Sequence, residues 1–269
     1  MGDGLSGKRL QLAKAKRLRK SSHIFFNRHG GVSTGRFESL NIGESVGDRP
    51  DHLRENLRRV KEKSGVKVMV SAHQVHGDRI EIIDGEVKSD LCVDGVDSLI
   101  TDHQDVGLMV GLADCQGILL HDPVCSVVAA IHCGWRGSVN GIIGKTVARM
   151  HAVFNSSPPD LHAFISPSLG PCCAEFVHYT EELPEDFHSF QAKPDYFDFW
   201  KISRYQLVGA GLEEGNIETA AVCTSCSSDY FSYRRACRNG DGRTGRQCAV
   251  ISLQPLRGNT EEENETADR

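Results

Sequence analysis

"VVAAIHCGWRGSVNGIIGKTVARM", residues 127–150, contains a strand pattern followed by a helix pattern. Residues 127–130 form a short apolar run, which is typical of a buried strand. The apolar residues of the second half recur at helical spacing, namely Val139, Ile142, Ile143, Val147 and Met150. A buried strand must therefore end near His132 and Cys133, and the chain must turn through Gly-Trp-Arg-Gly into a helix.

The composition of the 269 residues is ordinary for a globular protein, with 39% hydrophobic and 25% charged residues. The formal net charge of −5 gives no reason to expect nucleic-acid binding. No run approaches the roughly 20 apolar residues that span a bilayer, and no apolar segment typical of an export signal follows the basic start. We therefore expect a cytoplasmic protein without a membrane partner, whose ten cysteines are reduced thiols or metal ligands.

The two ends differ from the middle in charge. Residues 1–21 are rich in lysine and arginine, and residues 256–269 are acidic. Because neither segment has a sustained apolar stripe, we expect both to be solvated, disordered tails. The alternative for the basic segment is an arm that binds a membrane or nucleic acid. Residues 22–255 are predicted to form a single domain, which carries the candidate catalytic residues described below.

Several predicted strands follow one another without an intervening helix, so we do not expect a strictly alternating parallel sheet. An α+β fold with mixed β-sheets in a layered sandwich flanked by helices fits better. The predicted strands are 68–75, 79–83, 97–101, 106–112, 117–121, 126–132, 161–166 and 217–222, with strand character also near 24–26 and 250–253. The predicted helices are 51–64, 138–154 and 203–213, the first opened by Pro50-Asp51 and the third by Ser203.

Three apolar segments end in residues that can bind a metal or act as nucleophiles: "SAHQVHGD" (71–78), "MVGLADCQGI" (109–118) and "AAIHCGWRGS" (129–138). Strand ends at one edge of a sheet converge, so we expect His76, Cys115 and His132 to meet. Two imidazoles and a thiolate suit Zn²⁺ and leave a coordination position open for catalysis.

The spacing also allows a simpler interpretation of the three residues. The gaps of 39 and 17 residues match no compact zinc finger, and a lone histidine at a strand end is more often a hydrogen-bonded structural residue. Cys133 should point to the opposite face from His132 and behave as a core thiol. By the same alternation, we expect His73 to face away from His76.

The Gly-Trp-Arg-Gly turn predicts an anion site. Ser138 is a candidate N-cap, and free backbone N–H groups at the helix start would face the same place as the Arg136 guanidinium. The alternative is a tight turn in which Trp135 fills core and Arg136 pairs with a carboxylate.

A second basic stretch, "FSYRRACRNGDGRTGRQCA" (231–249), offers arginines for phosphate, or else forms a solvated hairpin. Cys223 and Cys226 form a CxxC with possible partners at Cys172, Cys173, Cys237 and Cys248. A lone CxxC is a poor zinc signal, so a structural metal site is not favoured here.

Taken together, the motifs resemble the bacterial laccase-domain family, which is multicopper polyphenol oxidase-like by name and of the purine nucleoside phosphorylase and adenosine deaminase type. The resemblance covers about residues 22–253. Its carriers are "NRHGGVSTG" (27–35), "SLNIGESVGD" (39–48), "HQVHGD" (73–78), "ADCQGILLHDP" (113–123), "HCGWRGS" (132–138), "SLGPCC" (168–173), "FSYRR" (231–235) and "GRTGRQ" (242–247).

The resemblance implies a Zn²⁺ site at His76, Cys115 and His132, with copper as a less favoured ion. It implies phosphorolysis of adenosine, inosine and 5′-methylthioadenosine, with adenosine deamination in the same pocket, so that a purine nucleoside and phosphate are the expected partners. It further implies a fold related to a bacterial toxin cysteine deamidase. The sequence leaves the oligomeric state open.

On this interpretation six residues surround the substrate, namely Arg28, Asn41, His73, Arg136, Arg235 and Arg246. Arg136 would hold phosphate, with Arg28 or Arg246, while Asn41 and His73 would position the sugar or base. Asp114 would orient a ligand or backbone group. Arg235 belongs to the same candidate set, although Ala236–Asn239 looks like an insertion relative to many relatives.

Three rival functions remain. A cysteine hydrolase or amidase, for instance one that edits peptidoglycan precursors, would use Cys115 as nucleophile and His132 as base. A polyphenol oxidase is disfavoured because none of the twelve histidines forms an H-x-H copper motif. A non-catalytic nucleotide-binding or scaffold protein would be favoured only if the three residues bind no metal.

Overall fold

The computed structural model describes residues 21–253 and the backbone of residues 12–13. Most of the strands are short, and they build two six-stranded sheets and one small ribbon. They are Leu12–Ala13 (β1), Ser22–Phe26 (β2), Val68–His73 (β3), Ile80–Ile82 (β4), Leu91–Asp94 (β5), Ser98–Thr101 (β6), Val106–Leu112 (β7), Gln116–Asp122 (β8), Val127–Cys133 (β9), His162–Ile165 (β10), Gln191–Lys193 (β11), Tyr196–Phe197 (β12), Ile217–Thr219 (β13) and Gln247–Ser252 (β14).

The helices lie on the outer faces of the sheets or over their ends. They are Pro50–Ser64 (α1), Trp135–Val139 (α2), Ile142–Phe154 (α3), Tyr179–Glu182 (α4), Glu185–His188 (α5), Phe199–Gly209 (α6) and Tyr233–Asn239 (α7). Short 3-10 turns occur at Gly35–Phe37, Glu44–Val46, Pro158–Asp160 and Glu214–Asn216.

The first sheet has the strand order β1-β2-β14-β7-β3-β5, and the second has the order β13-β10-β8-β9-β6-β4. In the first sheet β3, β5 and β7 run parallel. In the second, β4 runs parallel to β6, and β9 is antiparallel to both β6 and β8. The chain therefore crosses from the first sheet to the second three times at one edge, through residues 74–79, 95–97 and 113–115.

The core follows from alternation along the strands. On β9, Val128 and Ala130 contribute to the core between the sheets, whereas Val127, Ala129 and Ile131 pack with α3 and α6 on the outer face. Helix α1 covers the outer face of the first sheet. The predicted α+β sandwich with mixed sheets and flanking helices is thus confirmed, and the inter-sheet links are what position the site.

Two helix predictions need correction at their starts. The predicted helix 138–154 is two helices, because the chain breaks at Asn140-Gly141 and Gly141 takes a left-handed φ of 73°. The predicted helix 203–213 is Phe199–Gly209, since Asp198 caps it by accepting a hydrogen bond from the Lys201 N–H. Ser203 instead lies buried inside the helix and donates to Gln116.

Strand β5 was not predicted, because its mixed sequence at an exposed sheet edge shows no alternation. The predicted strand at 217–222 is shorter, ending at Thr219. The predicted disordered tails lie mostly outside the described residues. Within the first of them, the backbone of Leu12–Ala13 pairs with Phe25 and Phe26, so that tail is not wholly without secondary structure. No helix among the described residues is long and apolar enough to cross a membrane.

Candidate metal and substrate site

His76, Cys115 and His132 come together where the two sheets meet. Their candidate ligand atoms all lie within 4.8 Å of one another, and the two imidazole rings stand edge to face with centroids 4.7 Å apart. The sequence predicted that they would meet at one edge of a single sheet, and this detail is wrong. His76 and Cys115 lie in links between the sheets, and only His132 lies within a strand, β9.

Asp97 lies behind the three residues, in the link that leads into β6. Its carboxylate accepts a hydrogen bond from His132 Nδ1 at 2.7 Å and from the backbone N–H groups of Val75, His76 and Gly77 at 2.8–3.2 Å. Burial alone would raise the pKa of Asp97, but hydrogen bonds from His132 and Gly77 outweigh it and keep the pKa below its usual value. One buried carboxylate thus holds both the His132 side chain and the backbone around His76.

The backbone near the three residues is unusually constrained. His76 takes a positive φ of 60°, which is uncommon for a residue with a side chain and is held here by the Asp97 contacts. Gly134 follows β9, and a Cβ on it would lie 3.0 Å from Cys115 Sγ and 3.2 Å from His76 Cδ2. Only glycine therefore leaves the thiol and imidazole undisturbed.

The electrostatics favour a charged Cys115 and His132. Burial alone would raise the pKa of the Cys115 thiol, but His132 and His76 lower it to about 6. Burial alone would lower the pKa of His132, but the Cys115 thiolate and Asp97 raise it to about 9. The two shifts reinforce each other and favour a thiolate at Cys115 beside an imidazolium at His132.

Cys133 behaves differently from its neighbour, as the alternation along β9 predicted. It is 2% exposed, packs in the outer core and contacts Ser138 Oγ at 3.2 Å. Burial raises the pKa of Cys133 to about 12, so it stays a protonated thiol.

A cavity of about 380 Å³ opens beside Cys115. This volume is within the range of small-molecule sites. Its wall is mainly aromatic and apolar, with Phe176 packed against Phe199 at 5.2 Å and against Trp135 at 6.2 Å between ring centroids. The polar groups on the wall include Asp114, Glu175 and Arg234.

The predicted anion site at the start of the helix is only partly as expected. The N-cap is Gly134 and not Ser138, since the helical turn starts at Trp135. Ser138 is buried within α2, where it contacts Cys133. Helix α2 has five residues, so its dipole is small, and the exposed Arg136 lies over the Trp135 ring at 5.1 Å.

Two other predicted substrate residues, Arg28 and His73, make contacts within the protein. Arg28 lies over the Phe231 ring and donates to the Glu38 carbonyl at 2.6 Å. His73 is exposed and bonds Asp94. Neither lines the cavity described above.

Asn41 is fully buried. Its amide donates to Asp48, and its carbonyl accepts from the backbone N–H groups of Gly43 and Arg246. We therefore expect Asn41 to act on any ligand only through the position of Arg246.

The structure separates the arginines of residues 231–249. The Arg235 guanidinium donates hydrogen bonds to the carbonyls of Thr224, Ser225, Ser227 and Tyr230. Arg235 therefore holds the loop before α7. Its neighbour Arg234, which was not in the predicted set, lines the cavity and donates to the Glu175 carbonyl.

Arg246 lies near enough to Cys115 for the charges of the two side chains to interact. Burial lowers its pKa, and nearby Cys115 and Asp114 partly offset this. The Asp114 carboxylate accepts hydrogen bonds from Thr224 Oγ1 and from the backbone N–H of Arg234, both at 2.6 Å, so it holds the start of α7.

The sequence did not point to Asp97 or to the aromatic wall, and it offered Arg234 only as one of several arginines in residues 231–249. Asp97 precedes a short apolar strand, and an acidic residue at the start of a buried strand was the available signal. Arg234 could not be told from Arg235, because adjacent residues on a helix differ only in the direction in which they point.

The residues present suit a metal ion. His132 Nδ1 is held by Asp97, which leaves Nε2 for a ligand, and this carboxylate–histidine arrangement is typical around zinc. The Cys115 pKa favours the thiolate that a metal requires. Two nitrogens and one sulfur leave a tetrahedral ion one open position.

These features define a class of protein: an α+β sandwich of two mixed sheets joined at a thiol and imidazole site that is suited to a metal. Residues 22–254 match the family model described as multi-copper polyphenol oxidoreductase laccase. The chain therefore belongs to that family.

Proteins of nearly equal length are similar to this chain over most of its residues. The purine nucleoside phosphorylase YlmD of Geobacillus stearothermophilus is 34% identical over 245 residues, which cover 83% of this chain and 87% of the relative. A purine nucleoside phosphorylase of Corynebacterium glutamicum is 30% identical over 244 residues, covering 88% and 96%.

Two solved structures share the fold. The hypothetical protein YfiH of Bacillus licheniformis has a TM-score of 0.81 at 28% identity and covers 92% of this chain and 98% of that one. YlmD of Geobacillus stearothermophilus has a TM-score of 0.78 at 32% identity, covering 88% and 93%.

Proposed function

We propose that the protein catalyses phosphorolysis of purine nucleosides, in which phosphate replaces the base at C1′ and ribose 1-phosphate and the free purine leave. The observation that carries this proposal is the position of Cys115. It belongs both to the ligand group, which is made of His76, Cys115 and His132, and to the wall of the aromatic cavity. The relatives named purine nucleoside phosphorylase support it.

The cavity suits a nucleoside on chemical grounds. Aromatic rings such as Phe176 and Trp135 can pack on the face of a purine. Arg234 on the wall and Arg246 near Cys115 supply positive charge for phosphate. Arg136 is exposed at the start of α2 and remains a further candidate for this role.

We further propose that His76, Cys115 and His132 hold Zn²⁺, which when bound would supply a Lewis acid beside the reacting groups. The contribution of the chain is positional. Asp97 holds His132 and the 75–77 backbone in place, and Asp114 fixes the start of α7, which presents Arg234. The apolar wall excludes water, so attraction between the arginines and phosphate is strengthened.

The proposed substrates are adenosine, inosine and 5′-methylthioadenosine. Deamination of adenosine is a second activity proposed for the same cavity, in which the amino group at C6 leaves as ammonia and inosine remains. The two reactions differ in their need for phosphate, so one set of incubations separates them.

The test is incubation of protein of measured metal content with each nucleoside, with and without phosphate. We expect the free purine together with ribose 1-phosphate from adenosine or inosine, and with 5-methylthioribose 1-phosphate from 5′-methylthioadenosine, only when phosphate is present. Cys115→Ser should abolish this turnover, and Cys92→Ser, which changes an exposed thiol on β5, should retain it. If none of the three nucleosides is consumed, the proposal is wrong.

A cysteine hydrolase is the second candidate, and the observation that favours it is the order Cys115, His132, Asp97, which matches a nucleophile, base and orienting carboxylate. This candidate predicts turnover of an amide substrate that survives chelation but is lost in Cys115→Ser. Loss of phosphorolysis on chelation and its return with Zn²⁺ would argue against the thiol nucleophile.

A further inference from the structure

Four cysteines form a second cluster, made of residues that the candidate site does not use. Cys172 and Cys173 lie in the turn after Gly170, and Cys223 and Cys226 lie in the loop after β13. Their sulfur atoms all lie within 4.8 Å of one another. Cys237 and Cys248, which sequence analysis also considered as partners of the CxxC, are not part of this cluster.

The sulfur separations suit a shared ion. Cys226 Sγ lies 3.6 Å from both Cys172 Sγ and Cys173 Sγ. Four thiolates at about 2.3 Å from a tetrahedral Zn²⁺ are about 3.8 Å apart. A disulfide requires an S–S distance of about 2.05 Å, which is much shorter than either of these separations.

The surroundings of the cluster provide partners for negative charge. The Gly170 N–H donates to Cys223 Sγ at 3.3 Å, and the Arg238 guanidinium lies 3.8 Å from Cys173 Sγ. A tetrathiolate zinc site carries a net negative charge, which N–H donors and a nearby cation stabilise.

We propose that Cys172, Cys173, Cys223 and Cys226 bind a structural Zn²⁺ ion. Four sulfur ligands close the coordination shell, so this ion would have no position for substrate. The proposal is independent of the nucleoside chemistry above, because it uses other residues and predicts metal binding and stability, not turnover.

The ion would join two segments on which the cavity wall depends. Leu169 and Ala174, on either side of the first cysteine pair, line the cavity. Thr224, between the second pair, donates to Asp114, which precedes Cys115. The two segments already exchange backbone hydrogen bonds between Ser168 and residues 222–224. A bound ion would fix these loops relative to each other.

The first test compares metal content in Cys226→Ser and Cys237→Ser, which change two exposed cysteines, one inside the cluster and one outside it. Proteins purified without added metal should differ by about one zinc per chain, with the loss only in Cys226→Ser. Thermal unfolding should shift to lower temperature in that variant. Equal zinc content in the two variants and the wild type, or iron in place of zinc, would overturn the proposal.

The second test needs no variant, so a failure of Cys226→Ser to fold does not affect it. Wild-type protein is reduced, freed of reductant under nitrogen and treated with iodoacetamide, and each cysteine is followed by peptide mass spectrometry. We expect the exposed Cys92 and Cys237 to be alkylated quickly and the exposed Cys172 and Cys226 to be protected until a chelator is added. If Cys172 and Cys226 were alkylated before chelation as quickly as Cys92 and Cys237, the result would contradict a bound ion.

Discussion

Gly134 shows how closely the geometry of the ligand group depends on a single residue. Its φ of −80° is accessible to any residue, so the requirement for glycine comes from neighbouring atoms and not from the backbone. The space that a methyl group would need is bounded by Cys115 and His76. The sequence shows a glycine in a turn, but only the folded chain shows what approaches it.

We predict that Gly134→Ala lowers zinc affinity about 10-fold or more by moving Cys115 away from His76. Competition with a coloured zinc chelator measures this. The matched control is Gly144→Ala in α3, where an added methyl group meets no atom within 4 Å, and it should bind zinc as the wild type does. An unchanged affinity in Gly134→Ala would show that the ligand group is not held as tightly as the structure indicates.

Asp48 gives a prediction for acid stability. Its side chain is 5% exposed and accepts hydrogen bonds from Ser33 Oγ, Asn41 Nδ2 and the Arg49 N–H. Burial alone would raise its pKa, but these hydrogen bonds outweigh it and lower the pKa. A lowered pKa in the folded state means that the stabilisation is complete above the unfolded value of about 3.9 and is lost as the pH falls through the folded value.

Asp48→Asn should therefore reduce the free energy of unfolding at pH 7, and the difference from wild type should shrink as the pH falls below about 4. Urea unfolding at a series of pH values tests this. A difference that stays constant down to pH 2 would mean that the charge of Asp48 does not contribute.

At the scale of elements, helix α1 is fastened to the loop that carries Arg28 and Asn41. The fully buried Asn56 donates to Ser33 Oγ and to the carbonyls of Ser39 and Asn41, and it accepts from the Val32 N–H. Helical periodicity predicted that α1 exists but not that one polar residue on its buried face joins it to residues 32–41.

We predict that Asn56→Ala destabilises the protein by about 2–4 kcal/mol, because several buried polar groups lose their partner. Arg54→Ala, at an exposed position of the same helix, should change stability by less than about 0.5 kcal/mol. Urea unfolding at pH 7 compares them, and equal effects would contradict the role assigned to Asn56.

The links between the sheets are the elements that build the site. Residues 74–79, 95–97 and 113–115 bring His76, Asp97 and Cys115 to the same edge because β3, β5 and β7 are parallel. Two of these residues were found from the sequence as polar endings of apolar runs. Asp97 was not, because its role depends on His132 Nδ1, 35 residues further along the chain.

At the scale of the whole molecule, the two sheets share one core. Leu119 on β8 is fully buried in the core between the sheets, together with Leu108, Val128 and Phe164. We therefore propose that residues 22–255 unfold as one domain, as the sequence predicted. A protein with separate domains would show more than one transition.

We predict that Leu119→Ala shifts a single unfolding transition by about 2–5 kcal/mol. Val124→Ala, at a side chain that is 70% exposed, should shift it by less than about 0.5 kcal/mol. Circular dichroism and tryptophan fluorescence followed during urea unfolding should coincide in both variants. Two separate transitions would contradict a single core.

The sequence by itself determined the α+β class, most strand positions and the identity of the three candidate ligands, because apolar periodicity and strand endings are local properties of the chain. It also separated Cys133 from His132, since neighbouring residues on a strand face opposite sides. The family resemblance depends on the same local motifs.

Only the tertiary structure decided which polar residues lie close together in space. In the folded chain Arg234, and not Arg235, lines the cavity. Asp97 lies behind His132, and Cys172 and Cys173 lie beside the cysteines of the CxxC pair. The physical reason is that these groupings come from residues far apart in sequence. Strand order and register determine them, and no local pattern encodes strand order or register.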